Sequence, residues 1–238
     1  MNEKTRNYLS IALKASLIVL AIVGCYLSMT GHGFMKGKLA LLYFTIQSNI
    51  TISVVIAVCL FKQIYELATG KNFELPSWFY MVKFAFSIAI LITFVVFWFV
   101  LGPQIIANGK ASYLYSPNNL TLHTLVPILA LVDLFAFDLK NLKLKKFSFL
   151  YGLIMPLIYL PFAMLCASLG VVFSVTEAGV PCNFPYFFLD YTVNGWFTFG
   201  DGKLGVFYWI IIVAIVVIAI SFVLSAIFKK VQKKVLVE

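Results

Sequence analysis

An all-α bundle of six membrane-spanning helices is the fold class this chain predicts, and three observations carry the expectation. Of its 238 residues, 62% are hydrophobic and only 11% charged, against roughly half and about a quarter in an ordinary soluble domain. Six apolar runs each reach the about 17–25 residues needed to cross a bilayer core. Those runs are continuous rather than alternating, so a membrane barrel is not indicated. The same composition excludes a soluble enzyme, a nucleic-acid-binding domain and a disordered tail, despite a formal net charge of +9. Only one of the 18 basic residues, Arg6, is an arginine, and lysine is the poorer choice for bidentate phosphate recognition.

Taken in order, the runs cover residues 8–30, 39–61, 79–102, 119–137, 147–170 and 205–228, each bracketed by Lys, Gly, Pro or Asn. Within the first, Ile22-Val23-Gly24-Cys25 fits a lipoprotein cleavage box. The apolar stretch nevertheless continues past Cys25 and five further runs follow, so an intact first helix is expected. No internal repeat or soluble insertion separates the runs, and residues 1–238 read as a single integral-membrane domain.

Lysine placement sets the expected direction. With both termini cytoplasmic, the inner segments hold Lys4, Arg6, Lys62, Lys71, Lys140, Lys143, Lys145, Lys146, Lys229, Lys230, Lys233 and Lys234, while the outer ones hold Lys36, Lys38, Lys110 and Lys203. That excess predicts a multi-pass protein of the cell membrane whose inner lysines meet anionic lipid headgroups. The four cysteines lack C-x-x-C spacing, and His32 and His123 are the only histidines. No metal or cofactor is therefore expected. A disulfide from Cys182 to Cys166 or Cys25 is left open.

Polar side chains at membrane depth are the informative ones, because each needs a partner or a watery cavity. With the second run starting near residue 39, Thr45 lies about 9 Å inside the outer boundary, and Ser48 and Asn49 share its helical face. On the fourth run His123 lies about 6 Å deep, preceded by Asn119. Pro127 cannot donate to the His123 carbonyl, which predicts a kink and a polar cavity there. A threonine hydroxyl becomes a nucleophile when a base takes its proton, and histidine is the commonest such base. Asn49, Asn119 or backbone N–H groups are candidate donors to the resulting oxyanion. The same residues have a plainer use, since Thr and Ser in membrane helices bond back to the i−4 carbonyl or join helices.

The run Tyr43-Phe44-Thr45-Ile46-Gln47-Ser48-Asn49 is followed by Leu122-His123-Thr124-Leu125-Val126-Pro127, Leu131-Val132-Asp133 and Phe184-Pro185-Tyr186-Phe187-Phe188-Leu189-Asp190. Over nearly the whole chain, in order and spacing, this resembles the androgen-induced-protein family of six-span membrane proteins, most of all its bacterial relatives. The resemblance implies a hydrolase working within the bilayer. The family's animal members cleave fatty acid esters of hydroxy fatty acids with a Thr nucleophile and a His, roles that would fall on Thr45 and His123. Around the threonine this chain departs from the animal pattern with Gln47-Ser48-Asn49, which leaves the substrate open within lipid-like esters.

Residues 171–204 form the longest connection, rich in Pro, Gly and aromatics, and are expected to be a lid over the site or an aromatic belt at the interface. Asp190 in that loop is expected to orient His123 or to cap a helix. Asp133, near the inner end of its run, is expected to form a structural ion pair with Lys14 or Lys83. It stands about 15 Å along the helix from His123, too far to serve as a triad acid. The leading expectation is an intramembrane hydrolase of lipid-like esters. The alternatives are a small transporter or channel and a non-catalytic lipid-binding membrane protein.

Overall fold

The computed structural model describes residues 2–31, 37–175, 179–200 and 202–237. Six of its helices are long and apolar enough to cross a membrane: Glu3–Met29, Phe44–Thr69, Ser77–Ala107, Pro117–Phe137, Ser148–Ser168 and Val206–Val235. The chain is thus an all-α, multi-pass integral membrane protein. His32 and Lys36 lie outside the described residues.

Local chemistry sets the helix ends. Asn2 opens the first helix by accepting the Thr5 N–H at 2.8 Å, as a short polar side chain does at an N-cap. Gly70 closes the second in the left-handed region at φ 66, where a residue with a Cβ is strained. Pro117 begins the fourth, at a position whose N–H has no helical partner anyway.

The second helix begins later than its hydropathy predicts. Gly37–Leu42 make a 3-10 turn, Tyr43 is extended at φ −84 and ψ 143, and the α-helix starts at Phe44. Thr45 is therefore the second residue of its α-helix rather than well inside it, which corrects the helix start expected near residue 39. Leu39, Ala40, Leu41 and Leu42 are apolar in either geometry, so hydropathy cannot mark this boundary.

At the bundle's centre the third helix buries Phe84, Ile88, Ala89, Ile90 and Ile92 and touches the second, fourth, fifth and sixth. Gly24 lets the first helix approach the fourth, because a Cβ there would lie 2.6 Å from Leu122 Cδ2. Arg6 bonds the Ala136 carbonyl at 3.1 Å, and Lys229 bonds the Lys145 carbonyl at 3.0 Å. These contacts gather the basic segments at one end of the bundle, called here the lysine-rich end.

Near that end Asp133 pairs with Lys14 at 2.8 Å and also with Lys83, which in turn meets Asp138. All four are buried. The expected single pair is thus a quartet joining the first, third and fourth helices, with Asp138 as a member the sequence did not single out.

Two widened turns interrupt the regular helices. Phe97–Leu101 in the third and Thr121–Leu125 in the fourth are π-helical, with Gly102 N–H reaching the Phe97 carbonyl and Val126 N–H reaching the Thr121 carbonyl. Each turn ends two residues before a proline, Pro103 or Pro127. A proline clashes with the carbonyl four residues back and has no N–H, and inserting one residue relieves both problems. The irregularity expected at Pro127 is this widened turn.

Candidate functional site

Thr45 and His123 line the same two cavities at the lysine-poor end. One, of about 510 Å³, also reaches Asn119, Tyr186 and Asp190. The other, of about 130 Å³, is walled mostly by apolar side chains of the third, fifth and sixth helices and of the loop before the sixth. Thr45 is 6% and His123 4% exposed. No hydrogen bond joins the Thr45 hydroxyl directly to the His123 ring.

The two π-turns meet at the imidazole. Phe97, the first residue of one turn, stacks on His123, the middle residue of the other, with centroids 3.9 Å apart and planes 10° from parallel. Next to them Trp98 Nε1 donates to Thr124 Oγ1 at 3.0 Å, joining the two helices. The His123 Nδ1 lies 3.4 Å from the Thr93 carbonyl. A carbonyl only accepts, so this contact assigns the proton to Nδ1 and leaves the Nε2 lone pair available as a base.

Thr93 links the ring to the second helix. Its Oγ1 is 2.8 Å from Ser48 Oγ, and Ser48 Oγ donates to the Thr45 carbonyl at 3.0 Å. Asn49 Nδ2 donates to the same carbonyl at 2.8 Å and to the Leu122 carbonyl at 3.3 Å. Both amide hydrogens of Asn49 are thereby engaged, one within the second helix and one in holding it to the fourth. This removes Asn49 as an oxyanion donor, and Ser48 is likewise committed to the frame. Asn119 gives one N–H to the Tyr113 carbonyl at 2.8 Å and stays on the wall of the larger cavity.

The start of the second helix supplies other donors. The N–H groups of Phe44, Thr45 and Ile46 precede the first helical hydrogen bond, from Gln47 N to the Tyr43 carbonyl at 3.1 Å, and such amides have no partner within the helix. The Tyr186 hydroxyl comes within hydrogen-bonding reach of the Phe44 and Thr45 amides and of the Thr45 side chain. Burial pushes the Tyr186 phenol up to about 12, so it remains a neutral O–H. Tyr159 holds the preceding turn by donating to the Leu42 carbonyl at 3.0 Å.

Asp190 borders the larger cavity but caps the short helix Tyr191–Asn194, accepting from Thr192 N at 3.0 Å and Val193 N at 3.2 Å. Of its two expected roles the structure places it in the cap, with no bond to His123. Asp133, Lys14 and Lys83 belong to the quartet at the far end. All four cysteines are free, so the bridge left open for Cys182 is not formed.

Sequence reasoning missed Thr93, Phe97 and Tyr186. Thr93 was discoverable by the depth criterion that singled out Thr45. Tyr186 lies in the segment 184–190, where an aromatic side chain suits an interfacial belt equally well.

Fold and site together define a six-helix integral membrane protein with a hydroxyl, an imidazole and a helix amino end whose first amides have no partner within the helix, all lining cavities at one end. No protein-family model, curated protein or solved structure matches the chain.

Proposed function

We propose that this protein is an intramembrane hydrolase of lipid-like esters, with Thr45 as nucleophile and His123 as general base, working from the outer side of the cell membrane. One observation carries the reading. A hydroxyl at the amino end of a helix, beside N–H groups that have no partner within that helix, shares its cavities with an imidazole whose Nε2 lone pair is available. The resemblance to the androgen-induced-protein family, in the residues around Thr45 and His123, points the same way.

In the reaction the Thr45 oxygen attacks the ester carbonyl carbon while His123 Nε2 takes the hydroxyl proton, directly or through one water. The carbonyl oxygen gains the negative charge and accepts from the Phe44 and Thr45 amides and the Tyr186 O–H. These are donors fixed before the charge develops, at the positive end of a helix dipole. Collapse expels the alcohol, which recovers the proton from the imidazolium. Water then repeats the cycle on the acyl-threonine and releases the acid. Phe97 fixes the ring plane and Thr93 fixes the tautomer. Lipid is the substrate source, and anionic headgroups are the partners of the lysine-rich end.

The test is hydrolysis of a long-chain fatty acid ester of a hydroxy fatty acid by the purified chain, beside Thr45→Ala and His123→Ala. Each substitution is expected to lower turnover by about 10³-fold or more while the protein stays folded, as loss of a nucleophile or its base does. Turnover unchanged in Thr45→Ala contradicts the assignment.

One observation favours a second reading, a small transporter. A polar cavity of about 430 Å³ at the lysine-rich end faces the 510 Å³ cavity across the bundle, with buried charges near the former. Solute uptake into sealed vesicles, with no ester turnover, selects that reading.

A further inference from the structure

Among the described residues the fifth and sixth helices approach most closely where Ser148–Leu153 meets the sixth. At the crossing, a Cβ added to Gly152 would lie 2.0 Å from Ser221 Oγ and 2.9 Å from Ile88 Cγ2, so the missing side chain is what permits the contact. Their backbones stay together along Ser148–Leu153 and part beyond it. Burial along the sixth helix follows the same course. Val217, Ser221, Leu224 and Phe228 are 0–6% exposed, whereas Ile210, Val213 and Ala214, nearer the lysine-poor end, are only partly covered.

The wedge between the parted helices is the apolar cavity already met at Thr45 and His123. Leu153 and Leu160 mark its extent on one wall, about 10 Å apart by helical rise, and Trp209, Val213 and Ala214 form the other. Leu157 on its lip is 62% exposed, on a surface that faces lipid. Phe188 and Leu189, buried in the long loop, close the top. The wedge is therefore narrow, apolar, open sideways to hydrocarbon and continuous with the polar groups at its inner end.

We propose that the wedge binds one hydrocarbon chain of a lipid-like ester, which slides in from the membrane between the fifth and sixth helices until its ester reaches Thr45 and His123. A water-soluble ester gains nothing from such apolar walls. Placing the ester rests on the hydrolase reading; the chain site is tested separately from it.

The test uses Trp209 as a reporter. A chain carrying Trp78→Phe, Trp98→Phe and Trp196→Phe retains Trp209 alone, and Thr45→Ala keeps the ester intact. In phosphatidylcholine nanodiscs, a dibrominated stearic acid methyl ester is expected to quench Trp209 saturably, and unbrominated methyl stearate to relieve the quenching. Ala214→Phe, which fills the wedge, is expected to raise the half-saturating concentration about tenfold or more. Quenching that never saturates, or that ignores Ala214→Phe, overturns the proposal. Should the multiple variant fail to fold, a photoactivatable stearic acid methyl ester on the unmodified chain replaces it. Adducts within residues 153–160 and 209–214 support the site, and adducts spread over all six helices overturn it. Saturable quenching without ester turnover by the unmodified chain leaves the chain site standing and the hydrolase reading fallen. Turnover without saturable binding does the reverse.

Discussion

At the lysine-rich end Lys14, Lys83, Asp133 and Asp138 neutralise one another, whereas at the other end Thr45 and His123 are almost as deeply buried and yet do not bond to each other. Both arrangements place polar atoms where water is scarce, at a cost unless they are paired. The quartet resolves that cost internally and fixes three helices. Around Thr45 and His123 the surrounding groups, Thr93, Ser48 and Asn49, take up the structural bonds instead. The hydroxyl and the Nε2 are thereby left facing a cavity. Paired charge reads as a lock, and a hydroxyl that shares a cavity with a positioned imidazole without bonding to it reads as a place for a reactant.

The comparison is broken most severely at Asp133. Asp133→Leu leaves two buried lysines with one carboxylate between them, and unfolding is expected to become easier by about 3–5 kcal/mol. A thermal or denaturant transition of the protein in detergent measures it. A change below about 1 kcal/mol would make the quartet as dispensable as an exposed ion pair.

Gly152 sharpens the contrast between the joined and parted halves of the fifth and sixth helices. Gly152→Ala drives a methyl into Ser221 Oγ, and overpacking of this kind costs about 1–3 kcal/mol. Adding Ser221→Ala removes the struck oxygen and is expected to restore part of the loss in the same unfolding assay. No recovery in the double variant means that the crossing is not set by this contact.

The smallest effect is expected at Asp190. Asp190→Ala removes the cap from Tyr191–Asn194 at about 1 kcal/mol of local stability, while Asp190→Asn keeps it. Hydrogen exchange of the Thr192 and Val193 amides reads the difference. Ester turnover is expected to follow the cap, surviving in Asp190→Asn, whereas loss of turnover there restores a direct role toward His123.

Much of this was legible in the chain, for identifiable reasons. The six helices are written in hydropathy because lipid demands about 20 apolar residues per crossing. Thr45, His123 and Asp133 stand out because polar groups in such runs are few. The start of the second helix was not legible, since Leu39–Leu42 suit lipid in a 3-10 turn as well as in an α-helix. Asp138 escaped because it falls one residue beyond the expected end of the fourth run. Thr93 carries no mark that separates it from a back-bonded threonine, and it does approach the Ala89 carbonyl at 3.3 Å. Its partners Ser48 and His123 appear only once three helices are assembled. The paired π-turns leave a trace only as Pro103 and Pro127, which announce an irregularity without its form.

The most direct measurement is mass-spectrometric mapping of a lipid-tailed fluorophosphonate on the purified protein. A single adduct on the Thr45 oxygen, abolished by Thr45→Ala and strongly slowed by His123→Ala, is the result expected of an activated hydroxyl beside its base. Labelling absent from Thr45, or proceeding at the same rate without the imidazole, contradicts it.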